Sequence, residues 1–297
     1  MIRAAAWTPL EFTKNVRKCI KSPEKVNVGG KKYSVFWDAQ RNVPALVDDT
    51  CSHRGASLSA GGTVEGNCIK CKYHGKPTKA QPFTLRDADG IVWMRDGPGE
   101  LDHADPPHTW EFDDDSGQRI FEYKRTFKGC NPILLVENTL DWSHLDTVHA
   151  FHLIDGKPDV SIHRGGYNGK AAYSYTSKVF DLVIENEWIG PWSTCLRFIF
   201  DGKQSFTIHF TVRADSVDES TLFVRVTRED HKWLGSLGDK MYLAINELPL
   251  IEDRYIVQNT DCTYWSKNKL TADDAFLKEY RDFMETTHPE ILKKYVQ

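Results

Sequence analysis

Two short segments concentrate the residues able to hold a metal. Cys51-Ser52-His53 is followed, 17 residues later, by Cys71-Lys72-Tyr73-His74. Each segment offers one thiolate and one imidazole. Four such ligands brought to one place imply a tetrahedral ion or a cluster. Zinc knuckles usually pair cysteine with cysteine or histidine with histidine, whereas both segments here are mixed. Mixed segments suit a two-iron, two-sulfide cluster, with both thiolates on one iron and both imidazoles on the other. A structural zinc site is the competing reading. Gly55 and Gly75 stand close behind His53 and His74. They are expected to let the backbone approach the cluster and to donate to its sulfurs. Cys68 forms a C-x-x-C with Cys71, but in a strand over Ile69–Tyr73 it is expected to be a small buried residue.

A second segment, Glu137 to His149, holds Asn138, Asp141, His144 and His149. Asp141 and His144 are three apart and share a helix face. His144 and His149 are five apart, which on a regular helix separates them by about 140°. A break or a π-bulge between them would bring the two imidazoles together. Two histidines and a distant carboxylate then make the facial triad that holds Fe(II) with positions open for dioxygen. His149 and His152 form another possible pair. The two signatures support each other: a one-electron relay needs an acceptor, and a ferrous oxygen site needs electrons singly.

The elements that must position these residues follow from composition and pattern. The chain has 297 residues, 40% hydrophobic and 27% charged, which is a globular composition. Its formal charge is −4, so the basic excess of a nucleic-acid binder is missing. No apolar run approaches the roughly 20 residues of a membrane span, and the first residues lack a secretory h-region. Seven cysteines, an odd number, argue for a reducing, cytoplasmic setting rather than a disulfide scaffold. Val26–Val28, Gly29-Gly30 and Tyr33–Trp37 read as a hairpin. The acidic run within 111–117 marks the best domain boundary. Residues 172–228 alternate as a broad antiparallel sheet. Residues 137–152, 236–262 and 271–286 read as helical, the last with a capping signal at Thr271–Asp274 and an apolar face of Phe276, Leu277, Tyr280, Phe283 and Met284. The class is α+β, with no βαβ alternation.

Together the motifs resemble the oxygenase (terminal) component of the Rieske non-haem iron oxygenases. The N-x-x-D spacing is nearest the vanillate/dicamba demethylase-like type. The resemblance implies a small all-β Rieske [2Fe–2S] domain over 1–115. A helix-grip-like catalytic domain of antiparallel sheet and helices follows over 116–297. Cys51, His53, Cys71 and His74 would hold the cluster. His144 and His149 would bind mononuclear Fe(II), with Asp253 as third ligand and Glu252 as the alternative. Asp141, with Asn138 before it, would orient His144 and link it to a cluster histidine of a neighbouring subunit in a homotrimer. Lys76-Pro77 stands where the family often has tryptophan.

The implied activity is hydroxylation or oxidative demethylation of a small apolar, ring-containing substrate, using dioxygen and external electrons. Gly97-Pro98-Gly99 does not continue into a dinucleotide fingerprint, so an external reductant is required, and the resemblance implies a ferredoxin or ferredoxin reductase. Lys70, Lys72, Lys76 and Lys79 could attract an acidic ferredoxin or form an ordinary solvated face. Trp188, Trp192, Phe198, Phe200 and Phe206 are candidate pocket walls, with sheet core as the other reading. Two other functions compete: an electron-transfer protein without its own chemistry, and a zinc-stabilised ligand-binding module.

Overall fold

The paired glycines make the turn expected of them. Gly29 and Gly30 both take positive φ, at 58° and 85°, and join β2 (Glu24–Val28) to β3 (Lys31–Asp38) as an antiparallel hairpin. The structure is a computed structural model and describes residues 6–81, 83–95, 118–144, 148–149, 158–176, 180–229, 235–267 and 269–296. The described chain forms two compact units. One comprises the residues up to Arg95 together with Arg213–Val217, and the other holds Gln118–Val212 and the residues from Asp218 onward. The boundary expected at 115/116, the acidic run 111–117, Gly97-Pro98-Gly99 and His152 lie outside the described residues.

The first unit is almost entirely β. Its described strands form three small sheets. They are β1 (Trp7–Phe12) with β9 (Ile91–Arg95) and β8 (Leu85–Ala88), then β2 and β3 with β4 (Val43–Asp48), then β5 (Thr63–Glu65) with β6 (Cys68–Lys70) and β7 (Pro77–Lys79). One short helix, α1 (Thr13–Val16), follows β1. Alternation on β3 divides the interior in two. Tyr33, Val35 and Trp37 pack with Leu10, Val26, Leu46 and Val92. Phe36 points the other way and packs with Val47, Leu58, Ile69, Cys51 and Cys71. The second cluster is therefore the apolar floor beneath both cysteines. The strand expected over Ile69–Tyr73 is shifted: β6 ends at Lys70, and Cys71 begins the turn. Cys68 is only partly buried, its thiol directed at Asn67 Oδ1 at 3.4 Å.

The second unit is built on a seven-stranded sheet, in the order β10 (Gln118–Lys128), β16 (Glu219–Glu229), β15 (Lys203–Ala214), β14 (Ser193–Phe200), β13 (Asp181–Ile189), β12 (Asn168–Thr176), β11 (Asp159–Arg164). Residues 172–228 thus bear out the alternation reading. Asn186 and Trp188 of β13 face the helices. Trp188 packs on Phe283 with ring centroids 4.4 Å apart, and Asn186 donates to the Thr139 carbonyl at 2.9 Å. Gly169 lies opposite Trp188 in the ladder, and a Cβ there would stand 2.5 Å from the indole nitrogen. A side chain at 169 would displace the tryptophan.

The helices are α2 (Pro132–Leu140), α3 (Gly235–Gln258), α4 (Ala275–Thr287) and α5 (Pro289–Tyr295). α3 and α4 fall where periodicity placed them. The capping signal is real: Asp274 Oδ2 accepts from Thr271 N at 2.6 Å and Thr271 Oγ1 at 2.8 Å. It caps a 3₁₀ turn (Ala272–Asp274) that runs into α4. The helix expected over 137–152 is broken at Asp141, and residues 145–147 and 150–152 lie outside the described residues. α2 starts earlier, with Asn131 as N-cap and Pro132 in its first turn, and it ends at Leu140. Asp239, near the start of α3, is held by Arg119 at 2.6 Å and Arg228 at 2.7 Å, which docks that helix on β10 and β16.

Candidate metal centres

The two Cys-x-His loops are closed in the same way. Cys51 N donates to Ala56 O at 2.8 Å and Gly55 N to Cys51 O at 2.9 Å. In the second loop Cys71 N donates to Lys76 O at 2.9 Å and Gly75 N to Cys71 O at 2.8 Å. Both glycines sit at positive φ, 72° and 66°, which a side chain would resist. This corrects the expectation that their N–H groups reach cluster sulfurs: those donors go to the cysteine carbonyls. Cys51 and Cys71 are buried side by side, and His53 and His74 stand exposed at the rim with ring centroids 4.8 Å apart. The N–H of Tyr73 is the main influence holding the Cys71 thiol below its ordinary pKa, against burial, with help from Cys51 and the N–H of His74. Two thiols inside and two imidazoles outside fit a cluster ligated in unlike pairs.

Sequence reasoning missed Asp49, two residues before Cys51. Its buried carboxylate accepts from Ser34 Oγ at 2.6 Å, Ser57 Oγ at 2.7 Å and Ser59 N at 2.7 Å. Burial opposes its charge, but these hydrogen bonds outweigh it and hold the acid below the usual carboxylate range. Asp49 therefore ties the first loop to β3. The Asp49-x₇-Ser57-x-Ser59 pattern was the available signal.

The second centre begins where α2 stops. Asp141 is extended (φ −82°, ψ 109°), and its Oδ1 accepts from Ser143 N at 2.8 Å and Ser143 Oγ at 2.7 Å. This local turn takes the chain off the helix axis. Val148 N then donates to His144 O at 2.8 Å. The break after Leu140, rather than a continuous helix, accompanies the meeting of His144 and His149: their Nε2 atoms are 3.2 Å apart. Asp253 on α3 completes the group. Its Oδ1 lies 3.0 Å from His149 Nε2 and 3.4 Å from His144 Nε2.

Three ligand atoms at these separations have the spacing of neighbours bound about 2 Å from one ion. The site also favours positive charge. Burial works against a proton on His144, but Asp253 and then Asp141 outweigh it and push the imidazole pKa up. The donor set of two imidazoles and one carboxylate suits a facial triad. Glu252 does not join it. Its Oε2 lies 2.8 Å from His149 Nδ1, on the far side of the ring. Asp141 Oδ2 is 3.8 Å from His144 Nδ1, outside hydrogen-bond range, and the Asp141 backbone acts on the same ring. Asn138 is half-buried on α2.

The aromatic candidates separate into two groups. Trp188 and Trp192 are core: Trp188 is packed under α4, and Trp192 meets Tyr295. Phe198 and Phe206 are half-buried, stacked 4.3 Å apart, with Tyr242 of α3 edge-on to Phe206. Phe200 is half-buried beside Phe180. These rings remain the better candidates for a wall against an apolar ligand.

Residues 6–79 match the Rieske [2Fe-2S] domain. Over 249 residues the chain is 24% identical to methylxanthine N1-demethylase NdmA of Pseudomonas putida, covering 71% of this chain and 67% of that protein. It is 31% identical over 132 residues to the oxygenase component of dicamba O-demethylase of Stenotrophomonas maltophilia, covering 36% of this chain and 37% of that one. Across the first curated relatives the match spans 25% to 67% of their length. The solved structure of dicamba monooxygenase bound to dicamba superposes with a TM-score of 0.77 at 16% identity, covering 98% of both chains. The likeness establishes the architecture: a small all-β domain followed by a large antiparallel sheet with helices. No described helix is long and apolar enough to cross a membrane.

Proposed function

We infer that this chain, a member of the Rieske non-haem iron oxygenases, is the oxygenase component of a multi-protein system. It hydroxylates or oxidatively demethylates a small, apolar, ring-containing molecule, and it works as a homotrimer supplied by a ferredoxin or reductase. The observation that carries this reading is the convergence of His144, His149 and Asp253 in a chain that also bears the Cys51/His53 and Cys71/His74 loops. A pure electron carrier has no use for the former.

When bound, the ferrous ion activates dioxygen with electrons relayed through the cluster. The chain's own residues supply the setting. His144, His149 and Asp253 would hold the ion through two imidazoles and one carboxylate. Apolar rings such as Phe198 and Phe206 hold a flat substrate and keep water away. A methyl group on oxygen or nitrogen, once hydroxylated, collapses with loss of formaldehyde, so hydroxylation and demethylation are one chemistry on different substrates.

The test is metal and acid-labile sulfide analysis of anaerobically purified protein. About three irons and two sulfides per chain are expected. About two irons and two sulfides would leave only an electron carrier, and zinc without sulfide would overturn both centres.

The electron donor is proposed to dock on the face around the second cluster loop. Lys72, Lys76 and Lys79 are exposed there with Tyr73, while Lys70 is paired with Glu65 at 2.6 Å. Wild-type turnover with an acidic ferredoxin should fall as salt rises. Lys72→Glu combined with Lys76→Glu should slow low-salt turnover by about tenfold. Rates indifferent to salt and to both changes would remove this docking surface.

A further inference from the structure

Successive residues on a helix point about 100° apart. On α3 this separates two neighbouring carboxylates: Asp253 turns inward and is buried, while Glu252 is half-exposed. His149 occupies the notch between them. Its Nε2 is 3.0 Å from Asp253 Oδ1 and its Nδ1 is 2.8 Å from Glu252 Oε2. The two ring nitrogens diverge, so neither carboxylate oxygen serves both. A neutral imidazole carries one N–H, and an ionised carboxylate can only accept. With Glu252 accepting from Nδ1–H, the lone pair is left on Nε2, which faces Asp253 and His144.

We propose that Glu252 is a positioning residue that locks His149 in the tautomer and ring orientation needed to ligate the ion. This rests on the reading of the triad as an iron site. Because Glu252 and Asp253 are adjacent, one helix provides both a ligand and the support for another ligand. The segment carrying His149 is then fastened to α3 before any metal arrives. A carboxylate behind a metal-bound histidine also raises its basicity.

The experiment compares the full-length wild type with Glu252→Ala and Glu252→Gln, each carrying its cluster. Mononuclear metal is stripped by chelator, and Fe(II) is added back anaerobically against a competing chromophoric chelator. Glu252→Ala should bind Fe(II) about 10- to 100-fold more weakly. Glu252→Gln, whose amide oxygen can still accept from Nδ1–H, should stay within a few-fold of wild type. The visible cluster spectrum and the Tm should be unchanged in both. Wild-type affinity in Glu252→Ala would overturn the clamp. A loss in Glu252→Gln as large as in Glu252→Ala would also overturn it, because charge rather than placement would then be the contribution. A wild-type chain that takes up no ion beyond its cluster would overturn the iron-site reading and the clamp together.

Discussion

Changing His144 to alanine is expected to cut substrate-dependent oxygen uptake by more than about a hundredfold while the brown colour of the cluster remains. The bound is conservative, since even the outer hydrogen-bond partner of a metal ligand is commonly worth about 10- to 100-fold in affinity or activity. His144 contributes one of the three atoms that meet within 3.4 Å of each other. Without it, His149 and Asp253 are a two-ligand remnant on two different elements. The cluster loops belong to the other compact unit. Iron should therefore fall from about three to about two per chain, with sulfide unchanged. Cys71→Ala gives the opposite signature, a colourless protein with its mononuclear site intact. Full activity in His144→Ala would mean that the reaction takes place elsewhere.

The contrast between the two centres shows what a sequence can display. The cluster loops are local: a few residues close each hairpin, and Cys51, His53, Cys71 and His74 are legible from spacing. The glycine requirement is legible too, although its reason is positive φ rather than a donor to sulfur. The iron-site candidate joins residues a hundred positions apart. Spacing can nominate His144 and His149, but Glu252 and Asp253 are neighbours of the same chemical type. Only the direction in which α3 presents them tells them apart. The end of α2 has a signal, Asp141-Trp142-Ser143, a side-chain turn that competes with the helix. The helix expectation over 137–152 gives it too little weight. Alternation identifies which aromatic residues share a sheet face, but not which are covered by α4 and α5. Trp188 and Trp192 are therefore indistinguishable from Phe198 and Phe206 until Phe283 and Tyr295 are in place.

The least legible support of the site is also the one whose loss should cost the most stability. Glu137 of α2 and Arg281 of α4 are 144 positions apart and both buried. Arg281 donates to Glu137 Oε1 and Oε2, each at 2.7 Å, and to the Trp265 carbonyl at 3.0 Å. Trp265 Nε1 donates to Glu137 Oε1 at 2.5 Å, and the guanidinium lies 4.8 Å from the Trp265 ring centroid. Burial pushes the Glu137 pKa up, with Arg281 the chief opposing influence. Arg281→Met would leave that acid buried beside apolar atoms, which typically costs about 3–5 kcal/mol. In a unit of this size the Tm should drop on the order of 10 °C. Glu137→Leu with Arg281→Met replaces the pair by apolar side chains and should regain most of the loss. The unpaired Trp265 N–H would keep a cost of about 1–3 kcal/mol. A double variant no more stable than Arg281→Met would contradict this account, as would a single variant within about 1 kcal/mol of wild type. The functional consequence follows from position. Glu137 lies one turn before Asp141, where the chain leaves α2 for His144. Loosening α2 should therefore lower mononuclear iron retention in Arg281→Met, while the cluster in the other unit keeps its full sulfide content.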